Sequence, residues 1–442
     1  MHTRWNWGKA DNKLKKVGIG LAIFFVVLLG LLLVVPGFMD WNKYKSEIEQ
    51  QASKLTGREV RIAGDISLAL LPAPSVSAAD VSVSNIHGGN APQMVTLKSL
   101  DVRVAFLPLI RGDIQVKKFV LVDPVLYLEK LADGRANWDF SDPDSKETEG
   151  GGETDLSLEN FQVTNGTVSY FDATTGQEER LGKINADLSI TSLEGPMEFD
   201  GRAVYKGLPL ALKAEMGRMR DGRKVPVTID ASYLDGKVSG RFVGGVLPDM
   251  EKGEAEGKLT LSARDLSDLV NLATGLTAEE DGVSSPTVSY NKPFELETGL
   301  TATPKSLALN DLDFKLGETR GQAGLTAALG DQLSFDGKLS LNSLELEPFL
   351  QIMEDQAKAN DKAAKVNGAA AETDYSFLEQ LEGTLDFNLG ALKYNDKIAS
   401  QITLKAKAAG GRIDISDVRV NMPGGTDFTY NGAVGFENHK PV

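Results

Sequence analysis

The chain has 442 residues, 47 basic against 62 acidic, for a net charge of −15, and 41% of it is hydrophobic. That balance argues against nucleic acid as a partner, and the apolar content is ample for folded domains. Cysteine is absent and only His2, His87 and His439 are present, which removes disulfides and thiolate chemistry and leaves no histidine cluster for a metal or a triad.

Residues 1–16 form a basic tail, with Arg4, Lys9, Lys13, Lys15 and Lys16 against Asp11. Residues 17–35 then run without a charge, long enough for a helix to cross a bilayer core of about 30 Å. The positive flank predicts a cytoplasmic N-terminus with the bulk of the chain across the membrane. Pro36-Gly37-Phe38-Met39 offers no small-residue cleavage site, so the segment reads as an uncleaved signal anchor. Residues 36–57 read as an amphipathic connecting helix: Trp41, Tyr44, Ile48, Ala52 and Leu55 recur at steps of three and four, and Gly57 ends it. Trp41 and Tyr44 are placed for the membrane interface; packing of this helix on the first strands is the compatible structural alternative.

From Val60 onward the period is two, as in Val102-Arg-Val-Ala-Phe106, Leu385-Asp-Phe387-Asn-Leu389 and Ile413-Asp-Ile415. Short strands with one apolar face follow, roughly 25 to 30 of them at about 4.8 Å per paired strand. Asp133-Gly134, Asn165-Gly166, Asp200-Gly201, Asp235-Gly236, Asp336-Gly337 and Asn431-Gly432 are read as turns between antiparallel neighbours. The stretch Glu256-Gly-Lys-Leu-Thr-Leu-Ser262 with Asp265-Leu-Ser-Asp-Leu-Val270 repeats 80 residues later as Asp336-Gly-Lys-Leu-Ser-Leu-Asn342 with Glu345-Leu-Glu-Pro-Phe-Leu350. Repetition of this kind predicts an elongated stack of units. The expected modules are a first β module over 58–140, an acidic Gly-rich loop over 141–155 and a middle β module over 156–276. A loop over 277–290, a β repeat over 291–353, an Ala/Lys-rich linker or helix over 354–374 and a last β repeat over 375–442 complete the series, its abrupt end reading as a truncation.

No catalytic motif emerges. Gly253-Glu-Ala-Glu-Gly257-Lys258 has three residues between its glycines where a phosphate loop needs four, and no Gly-x-Ser-x-Gly occurs. The chain is therefore read as a non-enzyme, with no cofactor and no metal.

Six segments in order resemble the signature of the AsmA family of bacterial inner-membrane-anchored proteins. They are Leu55-Thr-Gly57-Arg58; Gly64-Asp65-Ile-Ser-Leu68 with Leu71-Pro72; Val81-Ser-Val-Ser-Asn85; Phe106-Leu-Pro-Leu-Ile-Arg-Gly112; Leu121-Val-Asp-Pro124; and Asp133-Gly-Arg135-Ala-Asn137-Trp138. Tyr205-Lys-Gly207-Leu-Pro209 and Met422-Pro-Gly-Gly425 extend the likeness over nearly the whole chain. The resemblance implies a mainly β periplasmic protein: an N-terminal transmembrane helix, then an elongated antiparallel sheet curled into a taco-like groove with a few short helices, similar to bridge-type lipid-transfer proteins. It further implies an inner-membrane location with the bulk in the periplasm, and carriage of phospholipid toward the outer membrane in support of outer-membrane biogenesis and integrity.

An open sheet with one apolar face must cover that face or bind something apolar on it. The groove candidates are Val102, Val104, Ile114, Val116, Leu307, Leu309, Ile402, Leu404, Ile413 and Ile415. The expected partners are phospholipid acyl chains, the inner membrane through 17–35, and outer-membrane proteins. Two rival readings stay open: the same residues as the core of a closed sandwich, and a non-enzymatic tether or assembly factor for outer-membrane proteins.

Overall fold

The period-two pattern becomes twenty-two strands among the described residues. The computed structural model describes residues 39–71, 73–111, 115–139, 158–192, 194–220, 222–248, 252–277, 290–330, 333–350, 381–437 and 440–441, besides Ile23, Phe24 and Gly30. The expected anchor thus lies outside the described residues except for those three positions, as do almost all of the loops expected at 141–155 and 277–290 and the linker at 354–374. Among the described residues no helix is long and apolar enough to cross a membrane. The chain divides into two compact units, Met1–Leu193 and Glu194–Val442.

In the first unit, a 3₁₀ turn Trp41–Tyr44, capped by Asp40, leads into the helix Lys45–Thr56, which Gly57 closes with a left-handed φ of 65°. Strands β1 (Val60–Ile62) and β2 (Ile66–Ala69) lie end to end along β3 (Ser75–Ser84). β3 pairs with β4 (Gln93–Val104), and β4 with both β5 (Val116–Val122) and β6 (Val125–Lys130). β7 (Leu158–Asp172) runs parallel to β5 and β6, and β8 (Gln177–Ile190) folds back on β7. The helix seals the free edge of β1: Val60 N–H donates to Ser53 Oγ at 2.8 Å and Ile62 N–H to Glu49 Oε1 at 2.7 Å. A covered edge cannot recruit a stray strand.

Trp41 and Ala52 pack on the cluster of Val60, Ile62, Ile66, Ala78, Val81 and Leu97, as the strand-packing alternative requires. Tyr44 and Ile48 instead stay on the outer side, Tyr44 being 50% exposed with its ring 5.8 Å from Trp41. The expected single stripe splits because Trp41 sits in the 3₁₀ turn and each four-residue step of the α-helix drifts by about 40°.

The second unit is one uninterrupted series of neighbours. It holds β9 (Met197–Tyr205), β10 (Leu208–Met216), β11 (Val225–Tyr233), β12 (Val238–Leu247), β13 (Glu254–Ala263), β14 (Phe294–Thr303), β15 (Ser306–Leu316), β16 (Thr319–Leu329) and β17 (Leu333–Glu345). β18 (Leu381–Tyr394), β19 (Lys397–Ala409), β20 (Arg412–Met422) and β21 (Thr426–Glu437) follow, each bonded to the next. All pairs are antiparallel except β17 with β18. The sheets are therefore mixed rather than wholly antiparallel. Parallel neighbours need a long connection, and the chain supplies one before β7 and one before β18. The 80-residue repeat takes the same form twice: β13 precedes the helix Leu266–Thr277, and β17 precedes a helical turn that begins at Glu347.

Four of the six expected turns lie inside strands: Asn165-Gly166 in β7, Asp200-Gly201 in β9, Asp336-Gly337 in β17 and Asn431-Gly432 in β21. Asp133-Gly134 and Asp235-Gly236 are turns. The strands are accordingly longer and fewer than the spacing of glycines suggests. The missing Cβ serves other needs at these places. A Cβ on Gly432 would collide with the Tyr430 ring, and one on Gly166 would stand 2.7 Å from Val163. Asn165 takes a φ of 54° at a register shift, where its amide donates to Asn185 Oδ1 at 3.1 Å.

Candidate functional site

Cross-strand partners point to the same face of a sheet, so register decides which side chains share a surface. In the second unit Leu212, Ala231, Gly240, Leu261, Leu296, Phe314, Gly321, Leu341, Leu389 and Ile402 are successive partners from β10 to β19, a row with no polar side chain. A second row joins Leu300, Leu309, Leu325, Gly337, Leu385, Ala406, Ile415 and Gly432, and a third joins Ala302, Leu307, Ala327, Phe335, Gly383, Ala408, Ile413 and Val434. Leu404 faces Phe387 and Leu339 in a row between them. The six candidates of this unit, distant in sequence, therefore lie on one face.

Bulges keep that face in phase. Between Leu309 and Leu312 the pairing shifts, and Asp311 takes up the extra residue with a φ of 49°. The almost fully buried Thr298 donates its hydroxyl to the Asn310 carbonyl at 3.0 Å, supplying a partner beside the shift. Asp417 does the same for β20 with a φ of 53°; its carbonyl accepts from Thr403 Oγ1 and its amide donates to Asn431 Oδ1. Phenylalanines roof the glycines of the face: Phe242 over Gly244 and Gly257, Phe314 over Gly321, Phe335 over Gly383.

Little among the described residues covers this face. Among the described residues only eight hydrophobic side chains of the second unit are buried, and Tyr233, Val238 and Ala263 are three of them, at the end where the helix Leu266–Thr277 seats Leu269 and Leu272. Elsewhere most row residues are half-buried, Leu389 and Ala408 being buried at 4% and 7%, and Leu212, Tyr430 and Phe428 are 40%, 49% and 51% exposed. A closed sandwich would bury such rows on both sides.

In the first unit Val102 pairs with Val76 and Phe119, and Val104 with Val116, all half-buried apart from the exposed Val76. Arg103 faces Lys118 on the opposite side. A register shift between Arg103 and Val104 brings Val116 onto the face of Phe119. Phe161 stacks on Phe119 at 5.4 Å, carrying the face into β7. Ile114 lies outside the described residues.

A buried polar centre, which the periodicity does not reveal, gathers the signature segments. Asn137, 0% exposed, donates to the Tyr127 carbonyl at 2.8 Å and to Asn85 Oδ1 at 2.9 Å, and accepts from the Glu129 amide at 2.8 Å. The Glu129 carboxylate, 2% exposed, accepts from the Asn90 amide at 2.9 Å and from Asn85 Nδ2 at 3.1 Å. Arg58 Nη2 donates to the Asn137 carbonyl at 2.6 Å, and burial lowers the pKa of that guanidinium. Arg58, Asn85 and Asn137 all stand in the segments quoted above. Their role here is to tie the start of β1, the end of β3, β6 and the adjoining loops together, with every buried polar group of Asn137 engaged. Nearby, Asp172 is held at a pKa of about 2 by the Thr174 hydroxyl and amide, with Lys130 3.5 Å away.

A cavity of about 1190 Å³ lies on the other face of the second unit. Each strand from β10 to β17 lines it with three consecutive residues, as in Ala211-Leu212-Lys213 and Ser340-Leu341-Asn342. The outer two of each triplet belong to the polar face; neither apolar row beside the middle one contributes. A smaller cavity of about 700 Å³ adjoins it and shares Asp313, Gln322 and Ser340. A twisted sheet is saddle-shaped, so a concave diagonal on the polar face is compatible with an open apolar face. His87 stands exposed in the turn between β3 and β4, and no group of three potential metal ligands occurs among the described residues.

A family model for the AsmA family matches residues 12–240, just over half of the chain. The chain belongs to the AsmA family. The match takes in all six signature segments, the polar centre and the start of the second unit. This AsmA-family chain is also similar to the AsmA family protein YhjG of Escherichia coli (strain K12), with 23% identity over 293 residues, 59% of this chain and 43% of that protein. The chain thus matches less than half the length of that curated relative. No solved structure matches.

Proposed function

We propose that this protein is a membrane-anchored carrier that holds phospholipid acyl chains on the apolar faces of its sheets and passes them from the inner toward the outer membrane. The observation that carries this reading is the apolar face of the second unit, continuous from strand to strand and little covered by the described residues. Twelve spacings from β9 to β21 amount to roughly 60 Å along the hydrogen-bonding direction. Such a surface exceeds what a monomer leaves to water without a use. Each methylene removed from water is worth about 0.8 kcal/mol, so many near-equivalent rows offer a lipid successive seats of similar depth. The basic tail and the apolar run 17–35 support an inner-membrane anchor with the bulk in the periplasm, and the absence of a catalytic motif supports carriage rather than chemistry.

The test is photocrosslinking in cells from an unnatural residue at Val104, Val116, Leu325 or Leu404, with Arg103 and Lys117 as outward controls. Phospholipid adducts at the four inward positions and none at the controls are expected. Adducts to protein alone, or no adducts, would overturn the carrier and favour the tether or assembly factor.

A further inference from the structure

The trough on β10 to β17 takes only the middle residue of each triplet from an apolar row, and its charged and hydroxyl side chains lie on the face opposite the proposed carrier surface. Its walls hold four cations, Lys213, Arg241, Lys315 and Arg320, and four carboxylates, Asp230, Glu295, Glu297 and Asp313. That balance is local, since the whole chain carries −15. We propose that the trough binds an uncharged, hydroxyl-rich chain, an extended oligosaccharide.

The chemistry of the walls selects this class over the others. A polyanion meets four carboxylates and a polycation four cations. An acyl chain would have to desolvate all eight charges. An extended peptide needs free backbone donors and acceptors, but those of the trough floor are spent in the β ladder. A sugar hydroxyl both donates and accepts. The walls answer with acceptor-only carboxylates beside donor-only Lys and Arg, and with a run of two-way hydroxyls, Ser232, Ser239 and Ser262, along one wall.

The groups are also set in place before any ligand arrives. Arg241 Nη1 reaches both oxygens of Asp230, at 3.0 and 3.2 Å, Gln322 Nε2 donates to Asp313 Oδ1 at 3.0 Å, and Ser239 and Ser262 share a hydrogen bond of 2.8 Å. All remain open to solvent, so each carboxylate keeps acceptor capacity for a hydroxyl. Held side chains lose less freedom on binding.

The experiment is calorimetry and saturation-transfer NMR on the full chain in detergent, titrated with linear hexamers of β-1,4-linked N-acetylglucosamine and of α-1,4-linked glucose. Polygalacturonate and deacetylated glucosamine oligomers of equal length are the charged controls. Saturable binding of at least one neutral hexamer is expected, at least tenfold tighter than either control. The paired substitutions Arg241→Gln and Asp313→Asn should weaken it at least tenfold without changing the circular dichroism spectrum, whereas Lys407→Gln, exposed on β19 outside the trough, should leave it unchanged. No saturable binding of either neutral hexamer would overturn the proposal, as would equal binding of the charged controls or indifference to the paired variant in folded protein. Lipid crosslinking is read separately, so neither result decides the other.

Discussion

Truncating Asn137 to alanine tests whether the signature segments act as a structural centre. The side chain makes three hydrogen bonds, to Asn85, Tyr127 and Glu129, in a site with no exposure. Their loss is worth about 1 kcal/mol each, and the stranded Glu129 amide and Tyr127 carbonyl add the cost of buried groups without partners. The sum is about 3–5 kcal/mol, at the high end for one substitution. Hydrogen exchange of the full chain, read by mass spectrometry over residues 125–139, measures it locally. At a tenfold change per 1.4 kcal/mol, exchange there should quicken by roughly two to three and a half orders of magnitude, while residues 381–437 keep their protection. An acceleration under tenfold would refute the reasoning, because it would mean that water replaces the Asn137 amide at little cost.

Val104→Asp and Val116→Asp should leave folded protein at near-normal yield, costing under about 2 kcal/mol, since a half-buried surface lets water reach the charge; unfolding of both would indicate a closed core, where several kcal/mol are at stake. Asp172 has a folded pKa of about 2, below its ordinary value, so its contribution to stability is full above about pH 4 and is lost as pH falls through about 2. Asp172→Asn should remove that acid-dependent step from a series of melting temperatures between pH 4 and 2; an unchanged step would place it elsewhere. A Cβ at Gly257 would lie 2.5 Å from the Val243 carbonyl and 2.6 Å from Gly244 Cα, both backbone. Gly257→Ala should therefore destabilise β12 and β13 by about 1–3 kcal/mol in a urea titration, and a neutral result would show that the strands can part there.

The basic tail, the apolar run 17–35 and the β character of everything after Val60 are written locally in the chain. Charge and hydropathy act over a few neighbours, and the alternation that makes one face apolar has a period of two. That is why Leu307, Leu309, Ile402, Leu404, Ile413 and Ile415 were each legible as facing one way along its own strand. Whether those strands present one common face depends on register, which bulges at Asp311 and Asp417 set by inserting a residue. The same nonlocality misleads at glycine. Asn431-Gly432 has the composition of a turn, but Gly432 makes room for Tyr430 and Asn431 serves the bulge of the preceding strand, β20. The polar centre carries no periodic signal, since Arg58, Asn85, Glu129 and Asn137 come from four separate stretches and acquire meaning only through mutual hydrogen bonds in a dry site. The sequence by itself determined an acidic, cysteine-free β chain behind a hydrophobic segment, because those properties are sums over neighbours. Which strands share the apolar face, which glycines are turns and where the polar trough lies came from tertiary structure, because each depends on partners tens of residues away.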